Sequence, residues 1–589
     1  MAFFYQVKTE DGQKRPRRKV GCLGGCLIFF AIYFISSAFF GWLLGDMFSS
    51  SNVALKDKTV YRLQLKGNLV EQGQEENPFA SLFSSVSPYG APEETVGLDQ
   101  ILSNIKLAKN DDRILGIWLD GAELGMTPAQ AKEIRDALID FKSSGKWLIA
   151  SAKQYGQTNY YIASVADLVC MDPTGAVNWN GLMAEKMYYT RIMEKIGVEM
   201  QILKVGTFKS AVEPFFRTSM SDEDKQQTRE YLEGIWNEYK AGVSVSRKIP
   251  VAQLDALADR YMGLQEATEH VKAGLVDTLI YCQDIDSLLR IYAGTKDFKT
   301  MRTAELAQVK RLPNKAKDKV AVLYLEGEIT EDSGDGIVAK EVVRNIKKIA
   351  KDEDIKALVL RVHSPGGSAD ASEQIWHAVQ NFKAEGKPVV VSMSGYAASG
   401  GYYISCGADY IYAEPTTITG SIGIFGTVPN FAKLRDKVGL DVDMLSTNAH
   451  SSLEANMIYN GMNPEEHALM QTMVERGYDL FTSRCAQGRH VSQEYIKSIG
   501  EGRVWLGSKG KEIGIVDELG NLDAAIDKAV ELAKLEQFQL VYYPAKKDPV
   551  EEWLKALDNT TDEERLIMKV RSFCSKPRIM ALMPEVEIK

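Results

Sequence analysis

The chain predicts an α/β fold built as a tandem duplication with flanking helices and one N-terminal transmembrane helix. Three observations predict it. Segments recur at a near-constant offset across more than two hundred residues: Phe141-Lys142-Ser143-Ser144-Gly145-Lys146 against Phe382-Lys383-Ala384-Glu385-Gly386-Lys387, and Tyr160-Tyr161-Ile162 against Tyr402-Tyr403-Ile404. Each copy alternates short β-branched runs with amphipathic stretches, the pattern of strands joined by crossover helices. Residues 20–44 carry no charge and are long enough to cross a bilayer.

The 589 residues are too many for one core, and 45% apolar with 25% charged residues is ordinary globular composition. A net charge of -9 argues against nucleic acid as a partner. The sequence contains no phosphate loop, zinc-spaced Cys/His cluster or calcium loop, so no metal or other cofactor is expected.

Lys14, Arg15, Arg17, Arg18 and Lys19 precede the apolar stretch and Asp46 follows it. Positive charge stays inside, so the stretch reads as an anchor with residues 1–19 cytoplasmic and the bulk of the chain outside. A cleaved signal peptide is the competing reading, but the run exceeds a typical apolar core and no small-x-small site directly follows it. Of the seven cysteines, Cys22 and Cys26 lie in this stretch. The remaining five are odd in number and widely spaced, which reads as buried free thiols.

The first copy spans residues 56–300, the second 319–545, and 546–589 form a tail outside the repeat, charged and expected to be helical. Both copies open on an alternating strand, at Val60-Tyr61-Arg62-Leu63 and at Val320-Ala321-Val322-Leu323. The matches continue through Asp167 with Asp409, Lys195-Ile196-Gly197 with Lys437-Val438-Gly439, and Gly274-Leu275-Val276-Asp277 with Gly514-Ile515-Val516-Asp517. In the second copy, residues 357–362, 388–393 and 410–412 read as strands and 372–385 as a helix with Ile375, Val379 and Phe382 on one face. Long helical stretches are expected around 222–243 and 465–487. About twenty extra residues at 72–95 in the first copy form an apolar loop that leans on a bilayer, on a neighbouring subunit, or on nothing.

Where the copies differ, chemistry enters. Ser399 follows a buried strand, between Ala398 and Gly400, at a turn that opens a helix; the first copy has Gln157 there. Ser364-Pro365-Gly366-Gly367-Ser368 falls opposite Glu123-Leu124-Gly125-Met126-Thr127. The first copy instead has Phe208-Lys209-Ser210-Ala211-Val212-Glu213-Pro214, where the second has His450-Ser451-Ser452-Leu453. A serine needs a base. Of six histidines, His270, His377 and His467 sit on charged helices and His490 in a polar loop; His363, beside the glycine turn, is the one kept as a candidate base, ahead of His450. A lysine serves if burial lowers its pKa, and Lys209 has Val205, Phe208, Val212 and Phe215 nearby, with Lys204 the alternative. Amides of Gly366 or Gly367, with Gly400, suit an oxyanion hole, and the turn at Thr419-Gly420-Ser421 is placed to set Ser421 beside the lysine amine. Each feature also has an ordinary structural reading as a packing turn or a surface lysine.

Together, Leu360-Arg361-Val362-His363-Ser364-Pro365-Gly366-Gly367-Ser368, Ala397-Ala398-Ser399-Gly400-Gly401-Tyr402, Thr419-Gly420-Ser421-Ile422-Gly423-Ile424-Phe425-Gly426 and the Lys209 block resemble the signal peptide peptidase A (protease IV) family. The likeness is to its long, duplicated, membrane-anchored bacterial type and runs from the anchor to about residue 545. It implies a Clp/crotonase-like fold in each copy and a serine endopeptidase with a Ser–Lys dyad. Carried over by position, Ser399 is the nucleophile, Lys209 the general base and Ser421 a lysine-orienting hydroxyl, with Gly366 and Gly400 as oxyanion donors. It further implies a homotetramer in the bacterial inner membrane, its catalytic part periplasmic, that degrades apolar signal peptides. His363 stands where the family pattern has Asn. The alternatives are a crotonase-type acyl-CoA hydratase or isomerase, and a non-catalytic membrane scaffold.

Overall fold

The computed structural model describes residues 54–74, 95–309, 315–334, 336–546, 578–583 and 587–588. The expected anchor and most of the 72–95 insertion lie outside them. Among the described residues no helix is long and apolar enough to cross a membrane.

Two sheets repeat one topology. In the first, Thr59–Val70 pairs in parallel with Ile114–Gly125, followed outward by Trp147–Ala152, Leu168–Met171 and Thr278–Leu279, while Lys299–Arg302 pairs with the other edge of Thr59–Val70. In the second, Lys319–Glu326 pairs in parallel with Ile355–Ser364, followed by Val389–Ala398, Tyr410–Ala413 and Glu518–Leu519, with Gln539–Tyr543 on the other edge. Parallel neighbours need crossovers, which the helices supply, and strands covered on both faces become continuous apolar runs. Val389, Val390 and Val391 are accordingly all buried.

The residues the copies share turn out to be staples of this topology. Asp167 and Asp409 accept from the backbone N–H of Leu148 and Val389 at 2.9 and 2.8 Å, tying each helix exit to the neighbouring strand. Asp277 and Asp517 do the same for Val169 and Ile411, and each also pairs with an arginine near the end of a long helix, Arg247 in Asp222–Arg247 and Arg489 in Pro464–Arg489.

Several boundaries move. Ser368 caps its helix by accepting from the N–H of Ala371, so the helix is Ala369–Ala384 and starts three residues earlier than its apolar stripe suggests. The strand expected at 388–393 runs on as Val389–Ala398, because Ala397 and Ala398 pair with Thr419 and Gly420. The described part of the tail departs from the expectation of helix: Arg578–Leu582 is a strand, held by pairing on both edges, which local composition does not register. His270 is fully buried, not solvated, on the inward face of the short helix Ala267–Lys272, and Cys282 is exposed, whereas Cys170, Cys406 and Cys485 are buried thiols as expected. Cys574 lies outside the described residues.

A third sheet joins the copies. Its order is Ile337–Val338, Ile329–Thr330, Gly366–Ser368, Arg578–Leu582, Phe425–Asn430, Glu199–Lys204. Its last pairing is antiparallel, from Lys204↔Phe425 to Glu199↔Asn430, and places a strand of the first copy on the second.

Candidate active site

That pairing delivers Lys209. Beyond Lys204 the chain continues over the second copy: Val205 N–H donates to the carbonyl of Ile424 and Phe208 N–H to that of Glu501. Gln227, buried on the long helix Asp222–Arg247, donates to the Phe208 carbonyl at 3.2 Å and the Ser210 hydroxyl at 3.0 Å. Its own carbonyl oxygen accepts from Val504 N–H of the second copy. The segment around Lys209 is thereby clamped before its side chain enters the interior.

Lys209 is 0% exposed, and its Nζ lies 2.8 Å from Ser399 Oγ, 3.0 Å from Ser421 Oγ and 3.2 Å from the Ser421 carbonyl oxygen. The Ser421 hydroxyl in turn donates to the Gly502 carbonyl at 3.3 Å. Among the described residues no carboxylate faces the amine, and burial alone pushes its pKa well below the ordinary lysine value. Two glycines make room for the stem. A Cβ on Gly502 would sit 2.6 Å from Lys209 Cβ, and one on Gly423 would sit 3.3 Å from its Cδ.

Ser399 stands between the strand Val389–Ala398 and the short helix Gly400–Ser405, at φ 55° and ψ -113°. That conformation is costly for a residue with a Cβ. It is held by Ser399 N–H donating to the Gly420 carbonyl at 2.8 Å and by the Ser399 carbonyl accepting from Tyr403 N–H. Ser421 has positive φ as well, at 50°, with its N–H donating to the Arg503 carbonyl. In the first copy the equivalent position carries no such turn; Gln157 accepts from the N–H groups of Asn180 and Gly181 and pins that loop.

The structure thus brings together Ser399, Lys209 and Ser421, from both copies of one chain. Gly366, Gly367 and Gly400 converge beside them: a Cβ on Gly366 would lie 2.8 Å from the Gly400 nitrogen, and one on Gly400 3.1 Å from the Gly367 nitrogen. Gly366 N–H, however, donates to Ser364 Oγ at 3.1 Å, which leaves Gly367 and Gly400 as the amides available to an oxyanion. His363 is elsewhere, its ring edge-on to Tyr396 and its Nδ1 3.7 Å from Glu71. Lys204 lies over the Phe216 ring.

Sequence reasoning missed a second cluster behind this site. Arg361 is 1% exposed and donates to Glu71 Oε2 at 2.7 Å, Glu133 Oε1 at 2.6 Å and Ser392 Oγ at 2.8 Å. Both carboxylates belong to the first copy, so one guanidinium of the second faces two acids across the junction. Glu71, which also accepts from Gln130 and Ser394, is held below the usual carboxylate range. Although its desolvation pushes upward, the Arg361 and His363 charges and the hydrogen bonds from Ser394 and Arg361 outweigh it. Glu133 is pushed up to about 7 by desolvation, the Arg361 charge being shared with Glu71. Among the described residues no group of acidic, histidine and cysteine side chains is arranged to hold a metal.

Comparison with known proteins places this geometry. The profile of peptidase family S49 matches residues 140–295 and again 381–536, and that of Clp protease matches 314–417. Protease 4 of Haemophilus influenzae is 34% identical over 505 residues, covering 82% of this chain and 81% of that one. Protease 4 of Salmonella typhi is 34% identical over 82% of this chain and 79% of its own length. The chloroplastic serine protease SPPA of Arabidopsis thaliana is 28% identical over 75% of this chain and 66% of its own. All are peptidases, so the hydratase and scaffold readings are not favoured. With the family profile matched twice and Protease 4 relatives spanning four fifths of its length, the chain belongs to peptidase family S49 and is a serine peptidase.

Proposed function

We propose that the chain is a membrane-anchored endopeptidase in which Ser399 is the nucleophile, Lys209 the general base and acid, and Ser421 the group that orients the amine. The observation that carries this reading is the set of three oxygens around Lys209 Nζ. A neutral amine has two N–H groups and one lone pair. The two donors match the carbonyl and hydroxyl of Ser421, leaving the lone pair to accept the Ser399 O–H. Burial favours that neutral form.

Ser399 Oγ then attacks the scissile carbonyl while Lys209 takes its proton. The N–H groups of Gly367 and Gly400 receive the oxyanion, and Lys209 returns the proton to the leaving amine. Water repeats the sequence on the acyl-enzyme. The site draws on both copies of one chain, and its buried serine admits extended peptides rather than folded proteins. The names of the relatives, which include a signal peptide peptidase of Enterococcus faecium, favour cleaved signal peptides and similar apolar segments as substrates. Residues 20–44 anchor the N-terminus in the bacterial inner membrane with the catalytic part outside, and the chain assembles as a homotetramer.

A fluorophosphonate probe tests the nucleophile: it is expected to modify Ser399 and no other serine, with labelling lost in Ser399→Ala. A different modified residue overturns the assignment. Ser421→Ala is expected to lower kcat by roughly 10- to 100-fold with little change in KM, since a hydrogen bond to a group that becomes charged contributes about 1.5–3 kcal/mol. The acid limb of kcat/KM in the unsubstituted enzyme should lie well below the ordinary lysine value of 10.5, with activity rising as pH rises through it.

A further inference from the structure

We infer that Asp224 and Lys186 are positioning residues for the base. The Lys186 ammonium holds the Asp224 carboxylate, the carboxylate fixes which way the Gln227 amide faces, and the amide fixes Lys209. This rests on the assignment of Lys209 above, and concerns what holds a buried amine within reach of Ser399.

The long helix Asp222–Arg247 opens on three acids, Asp222, Glu223 and Asp224. Carboxylates at a helix start are favourable while still in water, and the side chain of Asp222 is 94% exposed. That of Asp224 is 1% exposed and that of Lys186 4%, with Lys186 Nζ at 2.5 and 2.6 Å from the two Asp224 oxygens. Taking both ions out of water is costly, so the helix start alone does not account for the pair. Its carboxylate has a further contact: Asp224 Oδ1 accepts from Gln227 Nε2 at 3.0 Å.

Gln227 grips Lys209 from both sides. Its Nε2 donates to the Phe208 carbonyl, part of the peptide bond entering Lys209, and to the Ser210 hydroxyl just after it. Its Oε1 accepts from Val504 N–H. A side-chain amide has two orientations related by a half-turn, and here they are not equivalent. The Phe208 carbonyl and the Asp224 carboxylate only accept, and the Val504 N–H only donates. A flipped amide would set its oxygen against both acceptors and its NH2 against the donor. The anion weighs most in this choice, because a hydrogen bond to a charged group is about twice as strong as a neutral one. The turn that follows Lys209 is held from the same two elements. Tyr189 N–H donates to the Pro214 carbonyl at 2.7 Å, and buried Glu213 accepts from Ser221 N–H at 3.0 Å. Lys186, Asp224 and Gln227 form one line of contacts that ends on the backbone of the base.

A pair that only fastened one segment to another would affect stability alone, so the test separates stability from turnover of an extended fluorogenic peptide. Lys186→Met with Asp224→Asn removes both charges and leaves no unpaired buried ion. Its denaturant midpoint should stay close to that of the unsubstituted protein. Its kcat should nonetheless fall about tenfold at unchanged KM. The acid limb of kcat/KM should also move up toward the ordinary lysine value, as a looser Lys209 meets water. Gln227→Met, which leaves the ion pair in place, should move the limb the same way and lower kcat by about 100-fold, the cost of misplacing a reacting group by roughly 1 Å. Because Asp224 acts through Gln227, adding Lys186→Met and Asp224→Asn to Gln227→Met should cost no further turnover. Unchanged kcat in the charge-neutral variant, losses that multiply, or an acid limb that stays in place would overturn the inference while leaving Lys209 as base. Turnover retained in Lys209→Met would instead overturn the assignment beneath it. If the charge-neutral variant does not fold, Asp224→Asn alone, read by the same acid limb and the same kcat, decides the question.

Discussion

Ser399→Ala and Lys209→Met are each expected to lower kcat by about 10⁴- to 10⁶-fold, and the double variant to be no slower than the worse single one. Members of a catalytic unit lose their effect together, because a serine without a base and a base without a serine are equally idle. What remains in either variant is the oxyanion amides and substrate binding. Lys209→Arg should be as slow as Lys209→Met, since a guanidinium does not deprotonate at working pH. Folding supplies an independent readout. The Lys209 pKa is lowered on folding, so its contribution to stability is fully present above the unfolded value of 10.5 and is lost as pH falls toward the folded one. Between those two values the unsubstituted protein should therefore gain stability with rising pH, and Lys209→Met should remove that slope. Denaturation midpoints at pH 7 and pH 10, measured on both proteins, check it. A retained slope in Lys209→Met, or substantial turnover, would return the role of base to another group.

The half of the proposed site in the second copy is legible because its residue types, together with their loss from the first copy, single it out. A serine flanked by Ala398 and Gly400 and a Pro-Gly-Gly turn are each compatible with a packing turn, but both are missing at the equivalent positions of the first copy, and the strand and helix around them follow from β-branched runs and an apolar stripe. Lys209 is legible only by difference: its neighbours resemble any half-apolar turn, and it stands out because the other copy has His450-Ser451-Ser452 there. The repeated Asp167, Asp409, Asp277 and Asp517 mark topology and say nothing of chemistry. The rest is fixed by partners distant in sequence. The strand Arg578–Leu582 exists because two edges bracket it. Gly423 and Gly502 matter because the Lys209 stem passes them. Which glycine amide is free depends on where the Ser364 hydroxyl points, and no periodicity records that. Arg361 lies in the motif that carried the family resemblance, yet its charge partners are Glu71 and Glu133, more than two hundred residues upstream.

Arg361→Met is expected to cost about 3–5 kcal/mol of stability at neutral pH, the range for removing one partner from a buried ion cluster. The cost comes from what is left behind rather than from the contact itself. Glu71 and Glu133 are 2% and 0% exposed and lose the only guanidinium among the described residues that reaches them. The two acids make the loss depend on pH in a defined direction. Glu71 is depressed below its ordinary 4.5, so its stabilisation holds above that value and is lost as pH falls through its lower folded pKa. Glu133 is raised to about 7, so its contribution is complete below 4.5 and is lost as pH rises through 7. Without Arg361 both carboxyls are driven upward, and the penalty of the substitution should shrink toward pH 5 as they take up protons. Replacing all three groups at once, as Arg361→Met with Glu71→Gln and Glu133→Gln, should recover much of the loss at pH 7, since a buried triad can be exchanged for neutral side chains at little cost. Denaturant midpoints of the single and triple variants at pH 5 and pH 7 check this. A single variant equally unstable at both would show that packing, not uncompensated charge, holds the junction. The same junction sets where the first copy lies on the second, and hence where Lys209 meets Ser399. Turnover in the single variant should therefore fall further than its folded fraction accounts for, and return in the triple variant.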